Sequence, residues 1–135
     1  MEIEVCARAG NKKKLVSALL PSIVEQVGLR LSRASLMVMI HGDMEDPGLA
    51  VPLAPNMYCI SLNSRLTLNE LAVSLAHEMV HIAQMIKGTL KSGPDGGNWW
   101  SGKFYPASTP YLDKPWEIKA FQRQELIARR ALESL

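Results

Sequence analysis

The residues most able to do chemistry are His77, Glu78 and His81, in the stretch LAHEMVHIAQ. On a helix, a separation of four places two imidazoles one turn apart, where both can reach one ion with Zn–N bonds of about 2.0–2.1 Å. Glu78 lies off that axis, where its carboxylate can hold a water without being a ligand. The pattern His-Glu-x-x-His is typical of zinc metalloproteases. The spacing therefore predicts His77 and His81 as metal ligands and Glu78 as the general base.

The helix around this motif has a separate apolar face. At about 100° per residue, His81 lies at 40° and Glu78 at 100° from His77. The aliphatic residues fall between about 120° and 200° on the same count. They are Leu68, Leu71, Leu75, Met79, Ile82 and Ile86. The histidines thus point away from the predicted core face, and the alternative to a metal site is a pair of solvent-exposed histidines.

A catalytic zinc uses a third protein ligand and keeps one position open. No histidine follows His81, and the remaining one, His41, lies upstream, so a downstream ligand must be a carboxylate. The candidates are Asp95, Asp113, Glu117, Glu125 and Glu133. Glu117 is favoured because three alanines share its side of the last predicted helix and would allow close packing against another helix. The alternative for Glu117 is an acid placed by the helix dipole.

These residues resemble the gluzincin-type zinc metallopeptidases once Pro-Trp-Glu-x-x-Ala (115–120) is added to the histidine motif. The stretch ISLNSRLTLNELAVSLAHEMVHIAQ (60–84) is similar to small SprT-like and phage-type metallopeptidase domains, and the resemblance covers about residues 57–130. The length of 135 residues predicts a single domain over 1–135, and the mixture of predicted helices and strands predicts the α+β class. The resemblance implies a minimal zincin-like fold. In that fold a small twisted sheet packs on the active-site helix, and the C-terminal helix closes the cleft. It also implies one Zn²⁺ per chain on His77, His81 and Glu117, with Glu78 as the base.

The chain departs from that family in two ways. Many SprT-like proteins use a third histidine and carry a cysteine zinc ribbon, whereas this chain has only Cys6 and Cys59. The DNA-associated role of some of those proteins is therefore not carried over. Both cysteines lie among apolar residues and are predicted to be reduced core thiols, with an inhibitory role for Cys59 as the less favoured alternative.

A peptidase also needs a second partner for the developing oxyanion. Tyr111, Tyr105 and His41 are the candidates, and Tyr111 is the one we predict to be catalytic. Trp99, Trp100 and Trp116 are predicted to form the cleft wall or its support. The expected substrate is a polypeptide, and the predicted strand 57–63 would bind it by strand addition.

Composition narrows the possible partners. The 135 residues carry a net charge of +2, and the one dense basic run is Lys12–Lys14, so a nucleic-acid partner is possible but unsupported. The segment 12–24 lacks the cleavage site of a signal peptide, and no apolar run approaches the roughly 20 residues of a membrane span. The expectation is a cytoplasmic protein without a membrane partner. The competing function is an inactive zincin-fold module that binds protein or DNA.

The order of elements places the motif on a long helix. We predict strands near 2–7, at 34–42 and at 57–63, a loop over 43–56, and irregular chain over 91–113. The first helix covers 12–27 and is expected to kink or restart at Pro21. The second opens at Thr67, where Thr67 and Glu70 match a capping box, and ends at Gly88. The last begins at Pro115 and reaches about Leu132.

Overall fold

Three α-helices and seven strands form an α+β architecture in the computed structural model, which describes residues 1–8 and 10–135. The predicted fold class is therefore confirmed. The helices are α1 (Asn11–Gln26), α2 (Leu68–Ile86) and α3 (Pro115–Glu133). The strands are β1 (Glu2–Cys6), β2 (Ser35–His41), β3 (Gly48–Ala54), β4 (Met57–Asn63), β5 (Leu90–Ser92), β6 (Asn98–Trp100) and β7 (Lys103–Tyr105).

The larger sheet has four strands in the order β1-β2-β4-β3. β1, β2 and β4 run parallel, and β3 pairs antiparallel with β4 at the edge. The prediction of a loop over 43–56 is wrong because β3 occupies half of it. Pro52 lies within this strand, a position that an edge strand tolerates because one of its sides makes no ladder hydrogen bonds.

The prediction that 57–63 would receive a substrate strand is also wrong. β4 has those bounds, but it is an inner strand, paired with β2 on one side and β3 on the other. Both edges of β4 are therefore already hydrogen-bonded to neighbouring strands. The two edge strands of this sheet are β1 and β3, and β3 is packed against α2.

α1 continues through Pro21 as one helix, so it does not restart there. Proline lacks the N–H that would bond the carbonyl four residues earlier, that of Ser17. Pro21 and Ser17 both lie on the exposed side of α1, so water can replace the missing bond. Gly28 follows the helix with φ of 76°, a conformation that glycine adopts without strain.

The predicted capping box at the start of α2 is confirmed. The hydroxyl of Thr67 accepts the backbone N–H of Glu70 at 3.2 Å, and the Glu70 carboxylate accepts the N–H of Thr67 at 2.9 Å. Within α2, the predicted core face is fully buried over its central residues, from Leu71 to Ile82. Leu68 was also predicted there but is 45% exposed, because it lies in the first turn.

The segment 91–113, predicted to be irregular, contains most of a second, antiparallel sheet, β5-β6-β7. Its strands have only three residues each. β6 and β7 are joined by Ser101 and Gly102, both with positive φ, as in a tight hairpin turn. This sheet leads the chain into α3.

α3 packs directly on α2, and α1 packs against both. Three alanines of α3, at 120, 128 and 131, are fully or nearly fully buried, which permits the close approach expected from the sequence. The main core lies between these helices and one face of the larger sheet. Among the described residues, no helix is both long and apolar enough to cross a membrane.

Candidate metal centre

Three donor atoms meet where α3 crosses α2. Nε2 of His77 and Nε2 of His81 are 3.2 Å apart. Oε1 of Glu117 lies 3.0 Å from the first and 2.7 Å from the second. Glu117 reaches them from the first turn of α3, so the helix packing just described brings the three residues together.

The size of this triangle fits a small cation. In a tetrahedral zinc site with bonds of about 2.0–2.2 Å, two ligand atoms lie roughly 3.3 Å apart. The three observed separations, 2.7, 3.0 and 3.2 Å, are shorter than this by about 0.1 to 0.6 Å. Two imidazole nitrogens and a carboxylate oxygen are also ligand types that zinc accepts. The donor set therefore fits zinc in both chemistry and spacing.

The other nitrogen of each imidazole faces an amide oxygen. Nδ1 of His81 lies 2.9 Å from Oε1 of Gln84, and Nδ1 of His77 lies 2.7 Å from Oε1 of Gln124. The Gln84 amide is oriented by a further bond, in which its Nε2–H donates to the carbonyl oxygen of Trp116 at 3.2 Å. Because this bond turns the amide oxygen of Gln84 toward His81, Nδ1 of His81 donates a proton to it. With the amide oxygen of Gln124 facing His77, Nδ1 of His77 donates in the same way.

These hydrogen bonds determine whether Nε2 of His77 and Nε2 of His81 can accept a proton or bind a metal ion. In a neutral imidazole with a proton on Nδ1, Nε2 has a free lone pair. Two such lone pairs and the carboxylate of Glu117 then converge as three acceptors. Positive charge, either protons or a metal ion, is required to hold them together. Hydrogen bonds from the other ring nitrogen that fix the histidine tautomer in this way are usual around protein-bound zinc.

The pKa values of His77, His81 and Glu117 also favour positive charge at this site. Burial lowers the pKa of His77 and of His81, but hydrogen bonds to Glu117 and the glutamines, together with nearby carboxylate charge, outweigh it and raise both above 6.5. Burial raises the pKa of Glu117, yet the two histidines more than offset this and hold it at about 2. Glu117 is therefore ionised at neutral pH.

Among the described residues, the ligand atoms of His77, Glu78 and His81 form one group close enough to hold a metal ion, all within 4.8 Å of one another. Glu117 adds a second carboxylate, at direct contact distance from both imidazoles. Of the two carboxylates, Glu117 has the ligand geometry.

Comparisons of the chain with protein-family models, curated proteins and solved structures found no match.

Glu78 lies beside the donors rather than between them. Its side chain is buried, and burial is the largest of the effects that together raise its pKa. It packs against Gly48 at the start of β3, where an added Cβ would lie 3.0 Å from Cγ and 3.2 Å from Oε2 of the glutamate. The space for this carboxylate therefore depends on a glycine at position 48.

A cleft of about 660 Å³ opens over the donor atoms, between β3 and α3. Tyr111 and Trp116 line it, as expected from the sequence. Burial and the charges of Glu117 and Glu78 raise the pKa of the Tyr111 phenol, so it remains a hydrogen-bond donor at neutral pH.

Two other candidates for the oxyanion partner lie elsewhere. Tyr105 packs edge-on against Trp116, with ring centroids 5.6 Å apart, and does not line the cleft. His41, at the end of β2, accepts the backbone N–H of Asp43 instead. Trp100 supports the cleft wall by packing on Trp116.

The alternative third ligands and the cysteines also lie outside the cleft. Its lining does not include Asp95, Asp113, Glu125 or Glu133. Cys6 and Cys59 are free thiols, and Cys59 is buried in the sheet, where desolvation raises its pKa. Neither thiol is placed to act on the metal centre.

Two residues with clear contacts to the site were missed in the sequence, Gln84 and Gln124. Neither is a metal ligand type, so a search for donors passes over them. Their positions nevertheless carried a signal. Gln84 falls about 20° from His77 on the helical count, and Gln124 is seven positions, or two turns, after Glu117.

Proposed function

We propose that the protein is a zinc-dependent peptidase in which His77, His81 and Glu117 hold the metal and Glu78 is the general base. The observation that carries the proposal is the convergence of three acceptor atoms, Nε2 of His77, Nε2 of His81 and Oε1 of Glu117. Two glutamine amides set the tautomers of the two histidines. The complete His-Glu-x-x-His motif and the resemblance to gluzincins point to the same reaction.

A bound zinc ion supplies a Lewis acid and an acidified water at neutral pH. Glu78 accepts the proton of the attacking water and later delivers it to the leaving amine. Its raised pKa makes it a stronger base than an exposed glutamate and suits it to this transfer. A site that only held a structural metal would have no use for a buried carboxylate beside the ligands.

Tyr111, which lies just before α3, is proposed to donate to the oxyanion. Its phenol lines the cleft near Glu117 and Glu78, and its raised pKa keeps the proton on the oxygen. A positioned donor of this kind acts on charge that develops in the transition state.

The open edge of β3 supports a polypeptide as the substrate. β3 lines the cleft along Gly48–Pro52, and its pairing to β4 leaves its other edge free. An extended peptide can join such an edge through main-chain hydrogen bonds. Binding in this way would align its backbone beside Glu78.

Metal content per chain, measured on protein purified without added metal and without a histidine-rich tag, tests the metal centre. About one zinc per chain is expected, because the donor set is complete. The Glu78→Gln variant should keep the zinc and lose peptide hydrolysis, since it removes the base but not a ligand.

Two results would reject the proposal. Protein that contains no metal and takes none up at neutral pH has no metal centre. Protein that holds zinc but cuts no peptide, with or without Glu78, is a binding module instead.

A further inference from the structure

The charges around the cleft all have one sign. Apart from the two histidines, every charged side chain that lines it in the described residues is an acid: Asp46, Glu78 and Glu117. Asp46 is exposed and lies just before β3, across the cleft from Glu117. A divalent cation on the donors would offset two of these three negative charges and leave one. The cleft therefore repels acidic groups even when loaded.

The two lips of the cleft are apolar and open to solvent. Leu49 of β3 is 51% exposed and Phe121 of α3 is 63% exposed, and both line the cleft. Tyr111 adds a third large side chain at the same opening. Deeper in, the wall is formed by apolar side chains including Val73 and Met85. Exposed apolar groups gathered at a concave site are typical of binding surfaces.

We propose that the cleft selects polypeptide segments in which a bulky apolar residue has Lys or Arg as a neighbour, and that it rejects segments rich in Asp and Glu. The apolar side chain would bury Leu49 and Phe121, and the basic neighbour would meet Asp46. This inference rests on the proposed peptidase function and names its substrate class. The same carboxylates disfavour a polyanion such as nucleic acid in the cleft.

Matched peptides test the charge preference. Two peptides with the same central Phe-Leu pair, one flanked by Lys and the other by Glu, are compared by kcat/KM on the zinc-loaded protein. The Lys peptide should be cut about tenfold faster at low salt, because like charges in the cleft oppose the Glu peptide. Asp46→Asn should reduce this ratio roughly threefold, as expected for one exposed charge. Asp43→Asn is the matched control, since Asp43 is exposed nearby but does not line the cleft.

A second pair of variants tests the apolar lip. Phe121→Ala should raise KM for the Lys peptide about tenfold, because it removes a large contact side chain. Ile118→Ala is the control, since Ile118 is 40% exposed on the same helix but does not line the cleft. If Phe121→Ala and Ile118→Ala raise KM equally, Phe121 is not part of the substrate-binding surface.

The outcomes separate this inference from the proposed function. If both peptides are cut at the same rate, the proposed charge preference is wrong, whereas the proposed peptidase function is supported. If neither is cut, their binding to the zinc-loaded protein is measured by fluorescence anisotropy. Preferential binding of the Lys peptide, weakened by Asp46→Asn, then supports the inference without catalysis. Equal or absent binding overturns both.

Discussion

Oε1 of Glu117 lies 2.7 Å from Nε2 of His81, although 36 positions separate the two residues. The contact exists because small residues let α3 approach α2 closely, and it completes a donor set that α2 alone cannot provide. The candidate metal centre and the packing of the two helices are therefore coupled. A metal ion at this position would link them and stabilise the folded chain.

The first prediction concerns the third ligand. Glu117→Ala should weaken zinc binding on the order of 100-fold, because losing a ligand costs at least as much as losing a supporting partner. Asp113→Ala should change it less than about threefold, since surface changes away from a site usually have small effects. Competition with a chromophoric chelator measures both. Equal losses in the two variants would place the third ligand elsewhere.

The second prediction concerns the glutamines. Gln84→Met should weaken zinc binding roughly 10- to 100-fold, within the range for supporting partners of a ligand. It removes the acceptor for His81 and also the bond to the Trp116 carbonyl, which directly precedes Glu117. Gln124→Met removes only the acceptor for His77, so its effect should be smaller.

Gln84→Glu separates the two roles of Gln84. A carboxylate still accepts from Nδ1 of His81 but cannot donate to the Trp116 carbonyl. Zinc affinity between those of the wild type and Gln84→Met is expected. Wild-type affinity in Gln84→Met would show that the glutamine does not support the centre.

How much of this could be read from the sequence differs between the elements. α2 and α3 could be predicted because their signals are local: a capping box at Thr67 and a proline at the first position of α3. β3 could not, since the prolines around Pro52 indicate a loop unless the strand is known to lie at an edge. β5 to β7 are too short for any periodicity to appear. The Ser101-Gly102 pair was an available turn signal for their hairpin.

For the site, the sequence indicated the types and spacing of the donors but not their surroundings. His77, Glu78 and His81 are close on any helix. Glu117 could be singled out only through the alanines beside it. The edge of β3 along the cleft and the amides behind the imidazoles depend on contacts between distant segments, which local patterns do not contain.

The third prediction is an opposite effect of pH on the metal-free and zinc-loaded protein. The folded pKa values of His77 and His81 are raised above 6.5, so their stabilising contribution is present below that pH and is lost as pH rises through the folded values. The raised pKa of Glu78 likewise makes the folded protein less stable as pH rises. The melting temperature of the metal-free protein should therefore fall between pH 6 and 8.

Zinc binding should show the reverse trend. Each histidine must lose a proton to bind the metal, so affinity should weaken about tenfold per pH unit and per bound proton below the raised pKa values. Thermal melts with and without zinc over pH 6–8 measure both trends. In Glu117→Gln the partner charge is gone, and the slope of the metal-free protein should flatten. A metal-free melting temperature that rises with pH in the wild type would contradict the assignment.

The fourth prediction concerns the space that Gly48 leaves for the base. A Cβ at this position would lie 3.0 Å from Cγ of Glu78, closer than side chains normally approach, so Gly48→Ala should push the carboxylate aside. Small displacements of a catalytic group are costly, and kcat should fall on the order of 10- to 100-fold. Zinc content should not change, because the three atoms nearest to the added Cβ all belong to Glu78 and none to the proposed ligands His77, His81 and Glu117.

The matched control for Gly48→Ala is Gly102→Ala. An added Cβ at Gly102 meets nothing within 4 Å, and the hairpin there is remote from the base. Its positive φ makes alanine strained, so some stability is lost without a direct effect on Glu78. Comparing kcat at equal zinc loading separates displacement of the base from general destabilisation. If the two variants lose kcat equally, Gly48 has no special relation to Glu78. A selective loss of kcat in Gly48→Ala, with KM little changed, indicates that β3 positions the carboxylate of Glu78.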